Sequence, residues 1–265
     1  MAHGRQATNI CAILKSIPSD PMPSHTSNSI NIPKQDRSRA SFERVLEAAE
    51  ELLKEHGYNS FTLQEVSKRS RTSVGSIYCR VKSKDELFHA VHDKVMAELD
   101  IEMASILDPA KWEGVGAQKL IFFLVRELAE YLRRHKPILR AFISRETDDP
   151  VVMKKGKKAH FKVAERFETL LCLHAADFRH PDPERAAAFC FNLTYSSIAK
   201  HLDLDTITPA LDGLQWNQLI DDLGRTVALF LLSDDPVGQL STTRLPLPRA
   251  SAAPSLKRAA KAQRA

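Results

Sequence analysis

The stretch TLQEVSKRSRTSVGSIYCRVKSKDEL, Thr62 to Leu87, admits few folds because it announces three helix starts in close succession. The Thr62 hydroxyl can cap a first helix while Glu65, three residues on, reaches back to the amide of the cap, and Phe61 and Val66 stand where a hydrophobic staple needs them. Ser70, Arg71 and Thr72 interrupt the apolar period. Ser73 can then cap a second helix, predicted over VGSIYCRV, in which Val74, Ile77 and Val81 repeat at helical spacing. Two helices joined by a turn of three or four residues make a helix-turn-helix. Ser83 and Glu86 repeat the capping box ahead of a longer helix predicted to run to about Leu107.

Charge narrows the reading. Between Thr62 and Lys84 the bases Lys68, Arg69, Arg71, Arg80, Lys82 and Lys84 face the single acid Glu65, although the whole chain carries a formal net charge of only +5. The early side chains of the small helix, Ser73, Val74, Gly75 and Ser76, are short enough to approach base edges. A recognition helix in a major groove requires this combination, with cations and hydroxyls near phosphates and small groups near bases. The alternative is a solvated basic surface on a small helical bundle; capping, turn and charge agree against it.

Residues 39 to 87 resemble the amino-terminal DNA-binding domain of TetR-family transcriptional regulators. A long first helix, RASFERVLEAAEELLKEHG, precedes a threonine-capped second helix, then a recognition helix of the form S-x-G-x-x-Y at Ser73, Gly75 and Tyr78, then S-K-D-E-L at Ser83 to Leu87. The resemblance implies that Thr62, Tyr78 and Lys84 contact phosphates, that Ser73, Val74 and Ser76 face bases, and that Gly75 lets backbone and DNA approach. The chain departs from the family where the turn, usually A-G-V, reads Ser70-Arg71-Thr72, placing a non-glycine in the turn and a threonine where a core valine is usual. After the tyrosine, Arg80 and Val81 replace a histidine and a phenylalanine; Arg71 and Arg80 are thereby added as candidate phosphate contacts.

The stretch before this motif and the region beyond Leu107 keep a helical pattern, the two ends of the chain excepted. The first helix carries Phe42, Val45, Leu46, Ala49, Leu52 and Leu53 on one face and is expected to end at Gly57. Residues 1–36, rich in Ser, Pro, Asn and Thr, read as a disordered arm, or as an arm following the DNA backbone through Arg37 and Arg39. Beyond Leu107, Asp108-Pro109, Asp149-Pro150 and Asp182-Pro183 each pair a cap with proline at the first helical position. Helices are predicted over about 116–135, 137–146, 150–176, 183–202 and 215–233. None carries a nucleophile triad, a metal-ligand spacing or a Gly-rich phosphate loop, so no catalytic residue, metal or cofactor is expected and the chain does not read as an enzyme. Cys11, Cys79, Cys172 and Cys190 lie far apart, which fits a reduced, cytoplasmic protein; Cys79, inside the recognition helix, could respond to oxidation or simply be a small half-buried residue. No run is apolar enough to span a membrane. Residues 234–265 form a basic, Pro/Ala/Ser-rich tail expected to be disordered.

The expectation is an all-α protein, with a helix-turn-helix domain over 37–87, a connecting helix to about 107, and a helical ligand-binding and dimerisation domain over 108–233. The resemblance implies that helices 183–202 and 215–233 pair with their copies in a homodimer, with Phe191, Tyr195, Trp216, Leu219, Leu223, Val227 and Phe230 as interface candidates. It also implies a small-molecule effector site, for which Phe122, Phe142, Arg145, Phe167, Asn192 and Tyr195 are candidates. Lys154, Lys155, Lys157 and Lys158 read as a solvated face or as a rim attracting an anion. Double-stranded operator DNA is the expected partner, bound by a repressor that the effector releases. The rivals are a ligand-independent regulator or activator of the same fold and, further off, a helical carrier or enzyme.

Overall fold

The computed structural model describes residues 36–204 and 215–234. The expected arm up to residue 35 and the tail from residue 235 lie outside them. Among the described residues every regular element is helical: α1 (Asp36–Ser60), α2 (Leu63–Ser70), α3 (Val74–Tyr78), α4 (Lys84–Ile106), α5 (Ala117–Glu146), α6 (Pro150–Cys172), α7 (Pro183–His201) and α8 (Trp216–Leu232), with 3-10 turns at Pro109–Trp112 and Ala175–Asp177.

Capping sets the boundaries. Asp108, Asp149 and Asp182 each accept amide hydrogens from the first turn that follows, with proline at its start. Gly57 interrupts α1 at φ 68°, a left-handed conformation that glycine adopts without a Cβ penalty, and a further helical turn runs on to Ser60. Where two helices were expected on either side of residue 136, α5 is continuous and holds Pro137 inside it. An interior proline costs about 3 kcal/mol in a helix. Leu128, Leu132, Ile138 and Phe142 are buried on both sides of it, and that shared apolar face keeps the axis in one piece. The sixth helix stops at Cys172 rather than at 176, and the chain turns through Ala175–Asp177 before Asp182 starts α7.

The helix α5 is the spine, packing against α1, α6, α7 and α8. One continuous apolar cluster therefore runs from Phe42 in α1 to Leu231 in α8. Its crossing point is Phe88 on α4, which is fully buried and meets Tyr58 edge-on at 5.1 Å and Phe142 at 5.8 Å. Beside it His92, 1 % exposed, lies 4.6 Å from the Phe142 ring.

Candidate nucleic-acid interface

The corner is built from its caps. Thr62 Oγ1 accepts the Glu65 amide hydrogen at 3.2 Å, and Glu65 Oε2 accepts the Thr62 amide hydrogen at 2.9 Å, the reciprocal box that the sequence announces. The turn is made by Arg71 in the left-handed region, φ 53° and ψ 37°. Thr72 is buried; its hydroxyl donates to the Ser70 carbonyl at 3.3 Å and lies 3.5 Å from the Ser41 hydroxyl, so a polar group is accommodated where a valine is usual. Ser73 Oγ then accepts the Ser76 amide hydrogen at 3.2 Å and starts α3.

The third helix is shorter than predicted. It ends at Tyr78, because the amides of both Arg80 and Val81 close back onto the Ile77 carbonyl in a turn, leaving Cys79, Arg80 and Val81 beyond the helix. Ile77 and Val81 are fully buried and anchor it, while Ser73, Gly75, Ser76 and Tyr78 are exposed and Val74 is half-buried. A Cβ added at Gly75 would meet nothing within 4 Å, so this face is open to a close approach. The Ser73 and Ser76 hydroxyls lie 2.9 Å apart. Arg80 bends back, donating to the Ser76 carbonyl at 3.1 Å with its guanidinium 5.7 Å from the Phe42 ring centroid.

The bases divide by what holds them. Arg69 is tied to Glu55 through two bonds of 2.7 and 2.8 Å, so its charge faces α1 rather than a DNA backbone. That hydrogen bond holds the Glu55 carboxyl below its ordinary value. Lys84 lies 4.3 Å from the Tyr58 ring centroid and 4.9 Å from that of Phe61, with its Nζ 3.5 Å from the Asn59 carbonyl oxygen. Desolvation against those rings lowers its ammonium pKa. Ahead of α4, Ser83 Oγ accepts the Glu86 amide hydrogen at 3.1 Å, but Glu86 Oε2 accepts from the Lys82 amide at 2.6 Å, one residue earlier than a reciprocal box places it.

Sequence reasoning missed the residues that join this corner to the rest. The Tyr58 hydroxyl donates to Asp85, and the Arg145 guanidinium stacks 4.0 Å from the Tyr58 ring centroid with one nitrogen 3.6 Å from Asp85. Burial and the Asp85 hydrogen bond push the Tyr58 hydroxyl up to about 12. His89 Nε2 lies 2.6 Å from Asp149 Oδ2. Asp149 was legible as a cap, but nothing local marks the other partners: Tyr58 and Asp85 lie 27 residues apart in the chain, His89 and Asp149 60.

The six effector candidates do not share one cavity. Phe142 and Arg145 sit at the joint with the amino-terminal domain; Phe167 is fully buried against Phe191 at 5.5 Å; and Tyr195 packs on His160 at 4.5 Å. Asn192 is exposed and donates to its own helix at Ala188, while Phe122 lies against Gly224 of α8. An open groove of about 320 Å³ between α4 and α6 is lined instead by Asp93, Met96, Tyr131, Lys155, Lys158 and Val163 among others. Along it Lys155 pairs with Asp93 and Lys162 reaches Asp100 at 2.7 Å, while Arg166, outside the lining, reaches Asp100 at 2.6 Å; these hydrogen bonds, that of Lys162 foremost, lower the Asp100 pKa.

The interface candidates divide between the interior and the surface. Phe191, Leu219, Leu223 and Val227 are buried within the chain, because both helices pack into its own core on more than one side. Trp216 stacks on His201 and donates to Glu130 at 2.9 Å. The apolar surface that α7 and α8 expose is Phe189, Leu229 and Phe230, with Phe189 and Phe230 5.1 Å apart.

Fold and corner together define a two-part helix-turn-helix protein: a small three-helix unit carried by α4 on a larger helical bundle. Residues 45–91 match the family model of bacterial regulatory proteins of the tetR family. Over those residues the chain is similar to the amino-terminal domain of that family. It is 29% identical over 108 residues to the HTH-type transcriptional regulator QacR of Staphylococcus aureus, an alignment covering 40% of this chain and 54% of the relative, so the chain spans about half the length of that curated relative. Among solved structures, a chain from Mesorhizobium loti assigned to the TetR-family transcriptional regulators superposes with a TM-score of 0.58 at 15% identity, covering 74% of this chain and 97% of the other. GusR of Salmonella enterica gives 0.52 at 18% identity, covering 75% and 99%. At those identities the structural likeness establishes the fold.

Proposed function

We propose that the protein is a dimeric, sequence-specific DNA-binding regulator, acting as a repressor whose operator affinity falls when a small molecule binds the carboxy-terminal domain. The observation that carries this reading is the open face of α3. Ser73, Gly75, Ser76 and Tyr78 are exposed on a helix fixed from below by Ile77 and Val81, with Arg71 beside it at the exposed turn. Small groups toward bases and cations toward phosphates are what a major groove accepts. Two such helices, set one DNA turn apart by a two-fold axis, would read two half-sites. Phe189, Leu229 and Phe230 are the surface proposed for that axis.

The effector would act by population shift, favouring a conformation in which the two recognition helices are wrongly spaced, with α4 carrying the change. The α4–α6 groove supports this reading, since α4 carries Phe88 at the joint and meets the start of α6 through His89 and Asp149. The burial of Phe142 and Phe167 in packing, where pocket walls were expected, favours the second reading, a regulator of the same fold that needs no effector.

Binding to promoter DNA of the protein's own locus, with wild type and Tyr78→Ala compared across a salt series, tests the proposal. A tight, footprint-sized site lost in the variant is the expected outcome. Equal, weak binding of both proteins to every sequence would rule out α3 as the reader.

A further inference from the structure

We propose that Arg145, on α5 of the carboxy-terminal domain, is a positioning residue for DNA binding: through Tyr58 and Asp85 it holds the Lys84 ammonium where a phosphate can meet it. The inference rests on the reading of Lys84 as a phosphate contact. A lysine on a flexible four-carbon stem contributes to a phosphate site in proportion to how far its ammonium is already placed. Here the rings of Tyr58 and Phe61 confine it, at 4.3 and 4.9 Å from their centroids. Phe61 is locked by full burial, but Tyr58 is at the surface of the core and is held from outside.

Two groups hold it. Asp85 accepts its hydroxyl hydrogen, and the Arg145 guanidinium covers its ring at 4.0 Å. Arg145 also approaches Asp85 at 3.6 Å and Asp148 at 3.8 Å. Asp85 is the immediate chain neighbour of Lys84, and without Arg145 its carboxylate would be left facing that lysine as the nearest cation. Arg145 thus does two things at once: it stops the Tyr58 ring from turning away, and it occupies the carboxylate that would otherwise draw the ammonium back. Its Nε is buried without a hydrogen-bond partner, so stacking on the ring and charge at the fork place the guanidinium, not a full set of hydrogen bonds. Because Arg145 stands at the end of α5, the lysine is held by a side chain that moves with the carboxy-terminal bundle.

The test is a double-variant cycle on the full-length protein, using the promoter duplex of its own locus and a random-sequence duplex, with affinity measured at several salt concentrations. Lys84→Ala is expected to lower the slope of log affinity against log salt by about one per protomer, with a loss of about tenfold at 0.1 M salt. Arg145→Ala is expected to reproduce both changes, and the double variant to bind no more weakly than either single one. Circular dichroism and the thermal midpoint establish that each variant is folded; should Arg145→Ala fail to fold, Tyr58→Leu, which removes the ring but keeps apolar bulk, enters the same cycle with the same expected result. An unchanged salt slope in a folded Arg145→Ala or Tyr58→Leu protein, or strict additivity with Lys84→Ala, overturns the proposal while wild type still binds. A wild type that binds neither duplex overturns the DNA-binding reading itself and this proposal with it.

Discussion

The two halves of the molecule use their polar side chains at different ranges. In the helix-turn-helix unit, hydroxyls and carboxylates start helices locally, Thr62 with Glu65, Ser73 with Ser76, Ser83 with Glu86. In the carboxy-terminal half, where Asp108, Asp149 and Asp182 also cap helices, further polar side chains reach across the fold: His89 to Asp149, Asp100 to Lys162 and Arg166, Glu102 to His135, Trp216 to Glu130. A unit whose ends are fixed from within its own sequence can present a small helix rigidly with little core behind it. The larger bundle gets its register from packing and from pairs that exist only once the helices have met. The first arrangement suits a surface that must match a repeating DNA groove, the second a body whose helices can shift against one another.

The comparison is sharpest where the halves meet, and the largest expected effect lies there. Phe88→Ala, which removes a fully buried ring touching Tyr58 and Phe142, is expected to cost about 3–5 kcal/mol in denaturant unfolding. If the two halves are one cooperative unit, probes in both will move together; separate transitions would show that they are not. Within the bundle, a Cβ at Gly224 would sit 2.8 Å from Cδ1 of Phe122. Gly224→Ala is expected to destabilise by about 1–3 kcal/mol through that clash, and Phe122→Leu in the same chain to recover part of the loss.

Asp149 belongs to both ranges, capping α6 at the Val151 and Val152 amides and meeting His89 across the fold. Asp149→Ala is expected to cost about 1–2 kcal/mol near neutral pH. Burial works to raise the Asp149 carboxyl, but the hydrogen bonds from His89 and from the Val152 and Val151 amides outweigh it and leave it below its ordinary 3.8. A depressed folded pKa stabilises above the unfolded value and ceases to as pH falls through the folded one. The difference between wild type and Asp149→Ala should therefore be full above pH 3.8 and shrink below it; a difference that stays constant in acid would remove the carboxylate from the account.

The smallest effect separates stability from binding. Arg71→Gly relieves a non-glycine left-handed turn, with an expected gain of about 0.5 kcal/mol or less after the added freedom of the unfolded chain is counted. The same change removes an exposed cation and is expected to weaken DNA binding and lower the salt slope. A variant that bound as tightly as wild type would confine Arg71 to shaping the turn.

How much was legible follows the same division. The starts at Thr62, Ser73, Asp149 and Asp182 and the apolar face of α1 could be read from residues three or four apart, because caps and helical faces are local; the non-glycine turn at Arg71 was legible only through the family resemblance. The unbroken course of α5 through Pro137 could not, since local chemistry argues for a break and only burial on both sides overrules it. Nor could the places of Phe142, Phe167, Phe191 and Leu223: an apolar side chain reads the same in a pocket wall, an intermolecular seam or a core, and only its neighbours decide. Arg69 was legible as a cation but not as one held by Glu55.

The sequence by itself determined that this chain is helical, where its helix-turn-helix begins and turns, and which small residues α3 carries, because short-range hydrogen bonds and periodicity settle those matters before any helix meets another. Tertiary structure alone decided which aromatics are core, which cations are already paired, and that Arg145 reaches Tyr58 and Asp85. Those contacts join positions far apart in the chain, whose proximity depends on how every intervening helix packs.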